Sequence, residues 1–152
     1  MPPIFKKDPR FKQGIFRPKN PQKFIGEFAI YRSSLERTFF LWADNNPNVL
    51  EWGSENIIVP YKSPLDGKVH RYYVDNFVVI KEGEIIKKYL IEIKPYNQTI
   101  PPKPSKKKKR ETVFYENKQW ITNQAKWEYA KKFAQTKGAE FLIITEKDLK
   151  GN

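Results

Sequence analysis

Cysteine is absent from this 152-residue chain and histidine occurs once, at His70. Disulfides and thiolate metal sites are thereby excluded, and a zinc centre lacks its usual ligands. Long apolar runs are missing too. None approaches the roughly 20 residues that span a bilayer, and the opening MPPIFKKDPRFKQG has no signal-peptide stretch. The expectation is a protein made in a cytoplasm, with no membrane partner and no small-molecule cofactor. Acidic residues are few, 17 against 29 Lys and Arg. What is abundant is aromatic: eleven Phe, eight Tyr and four Trp. That supply argues for a packed core, and the length suits one domain better than two.

The net charge of +12 is unevenly placed. Residues 1–24 hold seven basic residues against one acid, among them Arg17, Lys19 and Lys23, and PPKPSKKKKR at 101–110 holds six and none. Residues 25–100 carry nine basic and ten acidic residues, and 111–152 carry seven and six. The domain is therefore near neutral and two segments hold the excess, as basic arms that meet a polyanion do. Lysines serving solubility alone would be scattered.

Residues 1–24 are proline-punctuated and read as an extended basic arm, with a single domain over 25–152. In YRSSLERTFFLWADNNPNV, Leu35, Phe39, Trp42 and Ala43 follow a helical period, Ser33 is placed to cap it and Asn45-Asn46-Pro47 to end it. NIIVPYKS reads as a short edge strand because of Pro60. Residues 69–80 and 85–94 read as a hairpin around Lys81-Glu82-Gly83-Glu84. Some twenty residues without pattern follow (95–115), then an amphipathic helix over 116–137 bearing Trp120, Trp127, Ala130, Phe133 and Ala134. Gly138 should end that helix and AEFLIIT should form a buried strand parallel to its neighbour. The order is α-β-β-β-α-β, an α/β (α+β) domain with a small mixed sheet flanked by helices.

Within the apolar run YLIEIK stand two charges, Glu92 and Lys94, which a strand projects from one face. With Glu82-Gly83 as a two-residue loop, Asp75 opposes Leu90 and lies diagonal to Glu92, with Cβ atoms roughly 7 Å apart. Two such carboxylates share a cation readily, and hard oxygen donors suit Mg²⁺, with Mn²⁺ as a substitute. A lysine beside them can orient water and offset charge on a phosphate. The alternative is an exposed charged stripe on an edge strand, with Asp75 ending a strand locally; spacing does not choose between the two.

VDNF…IEIK (Asp75, Glu92, Ile93, Lys94) resembles the signature of the restriction-endonuclease-like PD-(D/E)xK nucleases, whose common core has the element order above. Longer strings, QGIFRPKNPQKFIG, IYRSSLE, ENIIVPYKSPLDGKVHRYYVDNF, IEIKPYNQTIPPKP and NQAKWEYAKKFA, are similar to the head completion nucleases of T4-like tailed phages over nearly the whole chain. The resemblance implies Asp75 and Glu92 as metal ligands, the Ile93 carbonyl as a third, and Lys94 as the catalytic lysine. It also implies Glu36 as an additional acidic residue at the metal, although Ser33-x-x-Glu36 is equally a capping box. Val74 stands where the signature has proline, and the 95–115 loop is longer than the signature needs.

That loop, with Lys106, Lys107, Lys108, Lys109 and Arg110, passes for a nuclear localisation signal, but beside a nuclease site phosphate contact is the more natural use. Lys126 is a further candidate for DNA contact. His70, on the face opposite Asp75, reads as structural, and Trp120 and Trp127 read as core rather than as a base-stacking platform. No base-reading element is evident, which favours weak sequence specificity. The resemblance implies a Mg²⁺-dependent DNA endonuclease of the virion head, partnered by portal-vertex and neck proteins. A DNA clamp without catalysis and a transposition, repair or defence nuclease on the same core are the rival readings.

Overall fold

The computed structural model describes residues 13–149. Strands β3 (Val49–Lys62), β4 (Val69–Glu82), β5 (Ile85–Ile93) and β6 (Glu140–Ile144) form one sheet in that order. The first three are antiparallel, and β6 joins β5 in parallel after the crossover helix α2 (Arg110–Thr136). Helix α1 (Ser34–Asn45) contributes Phe39, Phe40 and Ala43 to one apolar cluster with Val49, Trp52, Val78, Ile91 and Ile93. Helix α2 contributes Trp127, Ala130 and Ala134 to a second cluster with Val59, Tyr61, Tyr72, Val74 and Leu90. The sheet is thus covered by a helix on each face, as the element order requires.

Local chemistry sets the ends of the helices. Ser33 is extended and its Oγ accepts from the Glu36 amide at 3.1 Å, which starts α1. Gly138 takes φ +68°, and the amides of Gly138 and Ala139 donate to the Gln135 and Ala134 carbonyls at 3.2 and 2.9 Å, which closes α2. On α1, Trp42 is not a core residue: it is 39% exposed, while Asp44 is buried. Asp44 holds a preceding segment instead, its carboxylate accepting from the Lys19 and Asn20 amides at 2.8 and 3.0 Å.

Residues 14–24, which the charge distribution groups with an extended arm, are therefore folded onto the domain. They include β1 (Gly14–Phe16), paired antiparallel with β2 (Ala29–Tyr31), and place Phe16 and Phe24 against Trp52. Residues 1–12 of the expected arm lie outside the described ones.

Three further boundaries differ from the sequence expectation. Strand β3 begins at Val49 and runs the length of the sheet edge. Strand β6 is the opposite edge, so its side chains are half-buried or exposed rather than buried. Helix α2 starts six residues early, at Arg110. Its buried residues begin only at Asn123, so the first half has no apolar stripe to betray it.

The β4–β5 turn also differs. Glu82 pairs with Ile85, so the loop is Gly83-Glu84, with Gly83 at φ +63° in the first loop position, as a type II′ hairpin demands. Moving the loop by one residue moves each partner by two, which preserves the faces. Between β3 and β4 a bulge sets Ser54, Glu55, Asn56 and Ile57 against Val74, Asp75 and Asn76, with Glu55 at φ +57°. Tyr72 and Val74 pack on the α2 side, whereas Val78 packs on the α1 side. Strand β4 therefore rolls over at the bulge, and Asp75 sits at the crossing.

Candidate active site

Asp75 and Glu92 meet at the end of the β4–β5 ladder. Its last pair is Asn76–Ile91, and continuing that register sets Asp75 directly opposite Glu92, closer than the expected diagonal. Asp75 turns its carboxylate onto the next free amide of β5, accepting from Ile93 N–H at 2.7 Å. Glu92, only 6% exposed, accepts from the Tyr72 hydroxyl. Lys94 Nζ lies 3.7 Å from the Glu92 carboxylate. The strand roll explains Tyr72: strict alternation puts residue 72 on the face away from residue 75, and only the bulge brings both to Glu92.

Burial dominates the electrostatics. It raises the Asp75 carboxyl well above its ordinary value, with the Glu92 and Glu36 charges adding to the rise, while the Ile93 amide and Lys94 oppose it. Burial also raises Glu92, against the opposing pull of Tyr72, Lys94 and Lys126. Tyr72 is raised by burial and by the Glu92 charge, so it stays a donor. Lys126, its Nζ 5.5 Å from the centre of the Tyr72 ring, is lowered by burial. Burial outweighs the nearby lysine charges, so both carboxylates are shifted towards their protonated forms.

Glu36 takes the capping part that its spacing from Ser33 offers. It belongs to the helix cap, with Oε2 3.4 Å from the Arg32 amide, and its charge reaches Asp75. Burial raises it as well. Arg32, unmarked in the sequence, pairs with Glu55 at the bulge and feels both Glu36 and Asp75. Its signal was its place next to the Ser33 cap, too general to single it out.

The remaining candidates divide by location. Lys126 lies over the Tyr72 ring, and its charge acts on Glu92 and Asp75. Lys106, Lys107, Lys109 and Arg110 are exposed at the start of α2, but Lys108 is tied to Glu116 at 2.9 Å and to the Lys103 carbonyl at 3.1 Å. Lys19 and Lys23 lie by the C-terminal end of α1, roughly 15 Å along that helix from Glu36, and Arg17 stacks over the Phe28 ring at 5.7 Å. Lys23 donates to the Asn46 carbonyl at 2.9 Å and thus closes α1. His70 pairs with Asp66 at 2.8 Å, apart from the site. Trp127 is core, but Trp120 is only half-buried and lines a cleft of about 680 Å³ between residues 94–108 and the first half of α2. Tyr96 anchors that segment, its amide donating to Glu146 in the short helix α3 (Glu146–Leu149) at 2.7 Å.

Among the described residues no cluster of three or more His, Cys, Asp or Glu side chains is gathered to hold a metal ion. The donor set nevertheless suits a hard divalent cation. Two facing carboxylates whose ionisation burial opposes are what such an ion would let ionise together.

A raised native carboxyl binds protons that the unfolded chain has released. Stability is therefore lost as pH rises from the unfolded value, near 4, through the raised native one. In chelator, the wild-type melting temperature should fall relative to that of Asp75→Asn as pH goes from about 5 to 8. Parallel curves for the two proteins would refute the assignment, and the comparison cancels contributions from the basic segments.

Carboxylates and a lysine at the end of a strand pair, on a mixed sheet with a helix on each face, define the restriction-endonuclease-like fold. Residues 46–146 match the TnsA-like endonuclease N-terminal family, and the chain belongs to it. Over 145 residues it is 37% identical to the head completion nuclease of Enterobacteria phage T4, an alignment covering 90% of this chain and 93% of that protein.

Proposed function

We propose that this protein is a Mg²⁺-dependent DNA endonuclease that processes packaged DNA during phage head completion, before neck and tail attach. The observation carrying this reading is the convergence of Asp75, Glu92 and Lys94 at the end of the β4–β5 ladder. The endonuclease family and the T4 relative, a head completion nuclease, support a nuclease acting in head completion. On this reading it works in the virion head, with portal-vertex and neck proteins as its partners.

Asp75, Glu92 and the Ile93 carbonyl would hold the ion, with Glu36 behind them. When bound, it supplies a more acidic water and offsets phosphate charge. Tyr72 fixes the Glu92 carboxylate and the Ile93 amide fixes that of Asp75, so both are aimed before substrate arrives. Lys94 is placed to hold the attacking water and a phosphate oxygen, and Lys126 adds positive charge behind Glu92. The exposed basic residues 106, 107, 109 and 110 would hold the backbone without reading sequence.

Incubation of supercoiled plasmid with the protein and Mg²⁺ should give nicked or linear DNA, and chelator should stop it. Mn²⁺ should restore cleavage after chelation. DNA binding without cleavage under any metal would favour the clamp.

A further inference from the structure

The cleft beyond Lys94 has walls of a particular kind. Tyr115 and Trp120 present aromatic rings, and Asn97, Gln98, Gln119 and Asn123 present amides. Its one carboxylate, Glu116, is neutralised by Lys108. Asn123 is 7% exposed, yet its amide bonds to no other side chain or backbone group among the described residues, which leaves it free towards the cleft. Gln119 Nε2 donates to the Tyr115 hydroxyl at 3.1 Å, tying that ring to the wall and leaving the Gln119 carbonyl available. Aromatic faces with amides around them suit a nucleobase: rings stack on its face, and amides match the donors and acceptors of its edge. The volume lies within the range of about 300–1,000 Å³ usual for such ligands.

Lys94 belongs both to this cleft and to the carboxylate site. A base in the cleft would therefore adjoin the phosphate held at Lys94. A paired base cannot enter, because its faces and edge are covered by its neighbours and partner.

We propose that the cleft receives one unpaired nucleotide of the strand at Lys94, so that the substrate class is DNA with a single-stranded extension or gap rather than uninterrupted duplex. The inference deepens the nuclease reading and rests on it.

The test is a fluorescence titration in chelator, with duplexes either blunt or carrying a single-stranded extension that contains 2-aminopurine. Extended DNA should bind about tenfold more tightly than blunt DNA, the scale of one stacked base, and the probe should be quenched on binding. Trp120→Ala should bring the ratio towards one. Tyr115→Ala should do the same, and folding is not at stake there because the side chain is exposed. Equal binding of both DNAs, or a ratio that survives both substitutions with the probe unquenched, overturns the cleft assignment and leaves the nuclease reading standing. Binding to neither DNA overturns both.

Discussion

Asp75→Asn should reduce plasmid cleavage on the order of a thousandfold, and Lys94→Ala by two to three orders of magnitude. Asp75 is held by the Ile93 amide and partly buried, with another carboxylate opposite it. Asparagine keeps the shape and the acceptor for Ile93 but removes the charge on which metal binding and phosphate chemistry depend. The same change should raise the melting temperature in chelator at neutral pH, because it removes a partly buried carboxylate whose ionisation the site opposes. Opposite signs on activity and stability identify a functional charge, since a purely structural Asp would lose both together. Retained cleavage by Asp75→Asn would move the chemistry elsewhere. Lys94→Ala separates the roles further: it should lower the rate while metal-dependent stabilisation persists.

Trp52→Ala should destabilise the protein by about 3–5 kcal/mol, the range for truncating a large buried aromatic. Trp52 is fully buried among Phe16, Phe24 and Phe40, with ring centroids at 6.1, 4.6 and 5.5 Å. Its carbonyl also accepts from the Ile25 amide at 3.0 Å, so the N-terminal segment and α1 both converge on this residue. Urea denaturation would measure the loss, and hydrogen exchange should show residues 14–24 opening first. Trp52→Phe should cost well under half as much. The indole N–H is buried without a partner among the described residues, so phenylalanine removes an unsatisfied donor along with the volume. Equal losses for alanine and phenylalanine would mean that packing is not what Trp52 contributes.

Much of the site was legible because it depends on parity. Asp75, Glu92 and Lys94 could be assigned to one cluster without the correct turn, since the actual loop, Gly83-Glu84, displaces partners by two residues and leaves faces unchanged. The capping part of Glu36 was legible in its spacing from Ser33, and the structure shows that cap, while its charge acts on Asp75. Tyr72 was not legible, because alternation assigns it to the wrong face until a bulge rolls the strand. Lys23 was misleading: its charge resembled an arm's, but its ammonium closes a helix.

The chain by itself determined the order of the main elements from α1 to β6, the two carboxylates and lysine on paired strands, and the segments carrying the basic excess. These depend on periodicity, turn residues and composition, all of which act over a few residues. Tertiary structure alone decided that residues 14–24 belong to the core, that Tyr72 and Lys126 serve Glu92, and that an amide- and aromatic-lined cleft adjoins Lys94. Each of those results from contact between segments far apart in sequence, where burial and strand geometry outweigh local preference.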